Sequence, residues 1–125
     1  MSSRDIEGEN LLYLPQAKVY DRSCGLGPWI VLGPSEAEAR GWAVEVTIHR
    51  GGEVVFAGST GIDRLKRSFA ELIEYLGRSQ SFPYGAVLLT GTGVVPDESF
   101  TLHAGDRVAI TITGIGTLAN DVIVV

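Results

Sequence analysis

Cysteine is nearly missing from this chain of 125 residues: Cys24 stands alone. An internal disulfide framework is thereby excluded, and a reducing, cytoplasmic setting is the expectation. Lysine is almost as scarce, with only Lys18 and Lys66, and no block of basic residues occurs. With fifteen acids against ten bases the formal charge is -5. Nucleic acid and anionic membrane surfaces are therefore not expected partners. No apolar run reaches the length of a membrane span, and no signal-peptide pattern follows Met1. Histidine occurs only as His49 and His103, well separated, which offers neither a metal cluster nor a triad.

Glycine, in contrast, is abundant, with sixteen residues. In one small domain this predicts tight turns and close backbone approaches rather than long helices. The polar start, Ser2 to Asn10, has no clear period, and the stretch to Pro34 reads as loop with a short strand at Trp29–Leu32. Residues 35–41 form one acidic helical turn or a loop. Val44, Val46 and Ile48 then alternate with Glu45 and Thr47, the pattern of a half-buried strand. Gly51 and Gly52 turn it into a return strand at Val54–Ala57.

Leu65, Phe69, Leu72, Ile73 and Leu76 fall at helical spacing, predicting a helix over 61–76 capped by Thr60 with Asp63 and stopped by Gly77. The unbroken apolar run Ala86–Leu89 predicts a buried strand. Val108, Ile110 and Ile112 mark a further strand, and Asp121–Val125 a terminal one. The composite is mainly β with one long helix, an α+β arrangement rather than a doubly wound sheet.

Few residues offer chemistry. Lys18, beside Tyr20 and Asp21 in a glycine-rich loop, can hold a carboxylate or enolate as a positive point charge, or be an ordinary surface lysine. Thr90, Gly91, Thr92 and Gly93 follow the Ala86–Leu89 run. They present hydroxyls and backbone N–H groups suited to an oxyanion, without the spacing of a dinucleotide or Walker loop. Asp5, Glu7 and Glu9 alternate at oxygen-ligand spacing, or simply form a hydrated start. Cys24 lacks a base and reads as a passive thiol, Lys66 as part of a solvated face, and Asp106 as a turn residue.

These loops, taken in order, resemble the C-terminal part of the fumarylacetoacetate hydrolase family. The resemblance rests on Ser2-Ser3-Arg4-Asp5, Lys18 with Leu26-Gly27-Pro28-Trp29, and Gly51-Gly52-Glu53. It continues through Thr90-Gly91-Thr92-Gly93, Ala104-Gly105-Asp106 and Gly114-Ile115-Gly116. Leu12 to Pro28 looks most like the branch containing 2-keto-3-deoxy-sugar-acid dehydratases.

The resemblance implies a mixed β-roll, a homodimer, and a magnesium ion that chelates a small 2-oxo acid substrate. It implies catalytic roles for Lys18, Arg4 and Glu7, with Lys18 stabilising an enolate. Thr90, Gly91 and Thr92 would hold substrate, and Asp21 would support them. The family's three metal carboxylates stand upstream of the Ser2-Ser3-Arg4-Asp5 stretch, so all three fall before Met1 and none is matched here. The expectation is that residues 1–125 form the C-terminal portion of a catalytic domain whose metal-ligand segment is missing. Such a chain would bind magnesium poorly and be inactive alone. C–C bond hydrolysis, isomerisation or decarboxylation within the same family, and a non-catalytic β-domain remnant with a binding or dimerisation role, are the alternatives.

Overall fold

A computed structural model describes all residues, 1–125. Alternation at Val44, Val46 and Ile48 does produce the central strand β1, Ala43–Arg50. Antiparallel β2, Glu53–Gly61, follows through the Gly51-Gly52 turn, where both glycines have positive φ (59° and 90°). Two left-handed central residues match the twist of a tight hairpin, and glycine reaches that region without steric cost. On its other side β1 pairs antiparallel with β3, Arg107–Ile112, which pairs with β4, Gly116–Asp121. The sheet order is β2-β1-β3-β4. Ile48, 3% exposed, sits between Phe56 and Val108 at its centre. A register shift after Ile48 leaves Val55 as the extra residue of a bulge. The mainly β architecture is the one the sequence indicated, although three short helices stand where one long helix was expected.

Several elements differ from the sequence expectation. The polar start forms helix α1, Arg4–Glu9, whereas the acidic stretch takes the helical one of its two expected forms as α2, Glu36–Arg40, with Ser35 Oγ accepting from the Glu38 amide. The predicted helix over 61–76 is shorter and later: α3 spans Phe69–Gly77, after a 3-10 turn at Ile62–Arg64. Thr60 cannot cap it, because β2 continues to Gly61 opposite Ala43 and the Ile62 amide donates to the Trp42 carbonyl. Arg40 then captures the carbonyls of Leu65 and Arg67, and Glu36 accepts from the Phe69 amide. These contacts hold 65–68 out of the helix. The observed cap is Ser68, whose Oγ accepts from the Glu71 amide.

Neither Trp29–Leu32 nor Ala86–Leu89 is a strand; both are exposed and pair with nothing. Their apolar composition reads as buried strand, yet neither makes a backbone hydrogen bond to the sheet. The last strand lies earlier than expected, at Gly116–Asp121. Val122 is tied to the Gly105–Asp106 turn through the Gly105 and Val122 amides, which leaves 123–125 outside the sheet.

Asp106 is far more than a turn residue. Only 1% exposed, its carboxylate accepts from Arg50 Nε (2.8 Å) and Nη2 (2.7 Å) and from the His103 amide (2.8 Å). Arg50 Nη2 also donates to the Thr101 carbonyl, and its guanidinium lies over the Phe100 ring. A fork-shaped donor meeting a carboxylate this way gives both strength and fixed geometry. The end of β1 is thereby locked to the turn that starts β3. The Arg50 hydrogen bonds, and then the His103 amide, hold the Asp106 carboxyl well below the usual carboxylate range.

Ser68→Ala should destabilise the chain by about 1 kcal/mol in urea unfolding, as loss of a helix cap does, while Thr60→Ala leaves α3 helicity unchanged. Gly114→Ala should cost roughly 1–3 kcal/mol, because Gly114 has φ +83° and an added Cβ would stand 2.8 Å from the Trp42 indole. A carboxyl with a lowered folded pKa contributes stability that is complete above its unfolded value, about 3.9, and is lost as pH falls from there. The urea midpoint should therefore drop below about pH 4. Asp106→Asn should have a lower midpoint at pH 7 and a shallower acid limb than the parent chain.

Candidate functional site

Helix α1 gathers most of the polar residues singled out in the sequence. The Ser3 amide donates to the Ala17 carbonyl at 2.8 Å, and Ala17 is fully buried in the 3-10 turn Gln16–Lys18. This backbone tie places Lys18 beside the start of α1. Lys18 Nζ donates to Ser2 Oγ at 2.7 Å and to Glu7 Oε1 at 2.9 Å. Two of the three ammonium protons are thus engaged and one is free. Both side chains of the Lys18–Glu7 pair are partly exposed, so its worth to stability is about 0.2–1 kcal/mol. Its interest is chemical: a fixed positive charge stands next to a carboxylate at the surface.

Arg4, also on α1, points elsewhere. Its Nη1 donates to the Pro96 and Asp97 carbonyls, both at 3.1 Å. Arg4 therefore fastens α1 to the end of the loop that carries Thr90, Gly91 and Thr92. Asp97 is itself fixed by the hydroxyl and amide of Ser99, which hold its carboxyl below the usual value. Thr101 and Asp106, a few residues on, are anchored by Arg50. The sequence reading missed Arg50 and Asp106, which position this loop, because an arginine before Gly-Gly and an aspartate after Ala-Gly read as ordinary turn residues.

Of the loop itself, Thr92 Oγ1 accepts from the Val94 amide at 3.2 Å, so its hydroxyl braces the turn. Thr90 and Gly91 are exposed, and Gly91 has φ +82°. Gly93 lies against Thr60 of β2, where an added Cβ would come within 2.9 Å of Thr60 Oγ1. The loop runs from an exposed segment rather than from a strand end, but its far side is seated on the sheet.

Asp21 is exposed and makes no ion pair or side-chain hydrogen bond, so the structure does not join it to Lys18. Asp5 and Glu9 are likewise outside the Lys18 cluster. Cys24 is a free, exposed thiol. No group of three His, Cys, Asp or Glu residues is arranged to hold a metal ion. The single carboxylate next to Lys18 is already shared with its ammonium. These residues do not fit a magnesium site on their own, since that ion is held by several oxygen ligands. No helix is long and apolar enough to cross a membrane.

The described geometry can be set beside known proteins. The chain is 49% identical over 122 residues to the probable 2-keto-3-deoxyxylonate dehydratase of Haloferax volcanii, covering 98% of this chain and 42% of that protein. To the 2-dehydro-3-deoxy-D-arabinonate dehydratase of Saccharolobus solfataricus it is 41% identical, covering 98% and 41%. A solved 2-keto-3-deoxy-D-arabinonate dehydratase, complexed with magnesium and 2,5-dioxopentanoate, superposes with a TM-score of 0.87 at 40% identity. That match covers 96% of this chain and 43% of the solved one. The chain thus spans about two fifths of the length of the curated relatives it matches. Residues 1–123 match the model of the fumarylacetoacetate hydrolase C-terminal family. A fold shared at this identity, with the family model spanning almost every residue, places the chain in the fumarylacetoacetate hydrolase family.

Proposed function

We propose that this chain supplies the lysine and substrate-loop portion of a magnesium-dependent enzyme that dehydrates a 2-keto-3-deoxy sugar acid. The observation that carries the reading is the Lys18 ammonium held between Ser2 and Glu7, within a chain 41–49% identical to two dehydratases of such acids. Magnesium enters by analogy with the related complex. The carboxylates it needs lie, on this reading, outside residues 1–125, because the residues here do not form its site. The family resemblance further implies a homodimer as the working assembly.

The chemistry assigned to this chain is local. Loss of a proton from the carbon next to the 2-oxo group leaves an electron pair that spreads onto the oxo oxygen as an enolate. Collapse of that pair expels the hydroxyl on the following carbon, which leaves as water after protonation. Lys18 stands as a positive point charge for the developing oxyanion, whose charge exists only after proton loss, so the interaction favours the transition state. Glu7, hydrogen-bonded to Lys18, is assigned to face the substrate beside it. Thr90, Gly91 and Thr92 take the substrate carboxylate through hydroxyl and backbone N–H groups, with Arg4 keeping their loop beside α1. Asp21 is assigned a supporting role.

Dehydration is preferred to C–C bond hydrolysis or isomerisation because both relatives named above are dehydratases. A second reading, a non-catalytic β domain with a binding role, is favoured by the lack of a metal-holding cluster. Calorimetric titration of the 125-residue chain should show no tight stoichiometric magnesium site, and the chain alone should not consume 2-keto-3-deoxy acids. Joined to the portion of the Saccharolobus relative that it does not span, it should turn over. Lys18→Ala in that fusion should then lower kcat on the order of 100-fold, the scale of losing one oxyanion donor. Unchanged turnover in Lys18→Ala would remove the role given to Lys18, and a folded fusion without turnover would favour the binding domain.

A further inference from the structure

Phe56, Gly58 and Thr60 alternate along β2 and so project from one face of the sheet. They stand opposite Ile48, Val46 and Val44 of β1, which makes this the face that carries the buried Ile48. The segment after Gly91 lies across these positions in order. Gly93 abuts Thr60, Val94 abuts Gly58, and the Phe100 ring stands 6.0 Å from the Phe56 ring. Arg50, over the Phe100 ring and bonded to the Thr101 carbonyl, closes the far end of this seam.

The middle contact leaves no room for a side chain. A Cβ on Gly58 would stand 2.7 Å from Val94 Cγ2 and 3.1 Å from Phe56 Cζ. Carbon–carbon contacts are best at about 3.5–4.0 Å. Gly58 does not take a positive φ, so the position uses the missing side chain and not the backbone freedom of glycine. Glycine inside a strand weakens it and marks a place where another segment comes close. Here that segment is Val94, whose β-branched side chain is stiff about χ1. The backbone of Val94 is tied on both sides to one hydroxyl: Thr92 Oγ1 accepts from the Val94 amide at 3.2 Å and donates to the Val94 carbonyl at 3.4 Å. A push on Val94 is thus passed directly to Thr92.

We propose that Gly58 is a positioning residue for the substrate loop: its missing side chain sets the height of Val94 above β2, and through Val94 the place of Thr92, where the carboxylate of the 2-oxo acid is taken. This rests on the substrate-loop reading above and extends it to a residue of the sheet. Lys18 serves the oxo oxygen, whereas Gly58 acts at the carboxylate end alone. The carboxylate is charged in the ground state and in the transition state alike. An added Cβ therefore weakens the binding of both, and the loss falls on KM rather than on kcat.

A double-mutant cycle between Gly58 and Val94 tests this, read by the kinetics of the fusion described above and by amide NMR signals of the 125-residue chain. In the fusion, Gly58→Ala should raise KM roughly 10-fold with kcat held within about 3-fold, the mark of lost uniform binding. Val94→Ala makes the room that the new methyl takes. In that background Gly58→Ala should change KM by less than about 3-fold. Gly114→Ala, strained against Trp42, should lower the urea midpoint and leave KM unchanged, which separates positioning from general loss of stability. In the chain alone, Gly58→Ala should shift the amide signals of 90–92, and should leave them in place when Val94 is alanine. A fusion without turnover counts against the dehydratase reading alone, and the NMR cycle then decides where the loop is held. Unmoved signals at 90–92, an equal KM rise in both backgrounds, or a fall in kcat at constant KM would overturn the proposal. So would a KM rise as large in Gly114→Ala, or a Gly58→Ala chain that folds in neither background.

Discussion

A carboxylate that is 1% exposed must find donors or destabilise everything around it. Asp106 finds three, two from Arg50 and one from the His103 amide. The partners come from opposite parts of the chain: Arg50 closes β1, and Asp106 opens β3. Their pairing sets the register of the two central strands at one end, and the Gly105 and Val122 amides extend the tie to the residue after β4. Arg50 reaches the Thr101 carbonyl as well, which pins the segment leading back to Asp97. Arg4 grips that segment from the far side, and Arg4 belongs to the helix that presents Glu7 to Lys18. The candidate site therefore hangs on the sheet by a chain of charge-assisted hydrogen bonds rather than by a hydrophobic core.

That arrangement suits the small amount of burial available. Beyond Asp106, only Ala17, Ala39 and Ile48 are buried. With so little apolar packing, order comes from directional contacts: arginines gripping backbone carbonyls, serine caps, and glycines that permit close approach. Arg40 illustrates the strategy, pairing with Glu36 while holding the Leu65 and Arg67 carbonyls. Gly58 and Gly93 illustrate the other side, letting the loop after the Ala86–Leu89 run lie flat on β2.

Much of the sheet was legible from local pattern. Alternation at Val44–Ile48 and Val108–Ile112, and the Gly51-Gly52 pair, report constraints acting within a few residues. Helix α3 was legible in kind but not in extent. Its apolar stripe includes Leu65 by spacing alone, while the carbonyl of Leu65 is taken by Arg40, 25 positions away in sequence. The site was half legible. Lys18 stood out by residue type, and Glu7 and Arg4 through the family resemblance, but Ser2 as a partner of Lys18 and Arg50 as the anchor of the loop depend on separations of 16 and 56 residues. Asp21 lies near Lys18 in sequence yet makes no ion pair or hydrogen bond with it.

By itself the sequence determined the family, the mainly β character, the first hairpin and the residues able to do chemistry. Those properties follow from side-chain identity, local periodicity and φ preferences, which act over short distances along the chain. Only the tertiary structure decided which turn residues became anchors, where α3 starts and which acids meet Lys18. It also decided that two strand-like runs have no partner in this chain. Such outcomes depend on hydrogen bonds and burial between distant segments, and on whether a neighbouring strand exists at all. Apolar composition at Ala86–Leu89 reads as a buried strand; only the three-dimensional packing shows that the run is exposed and unpaired.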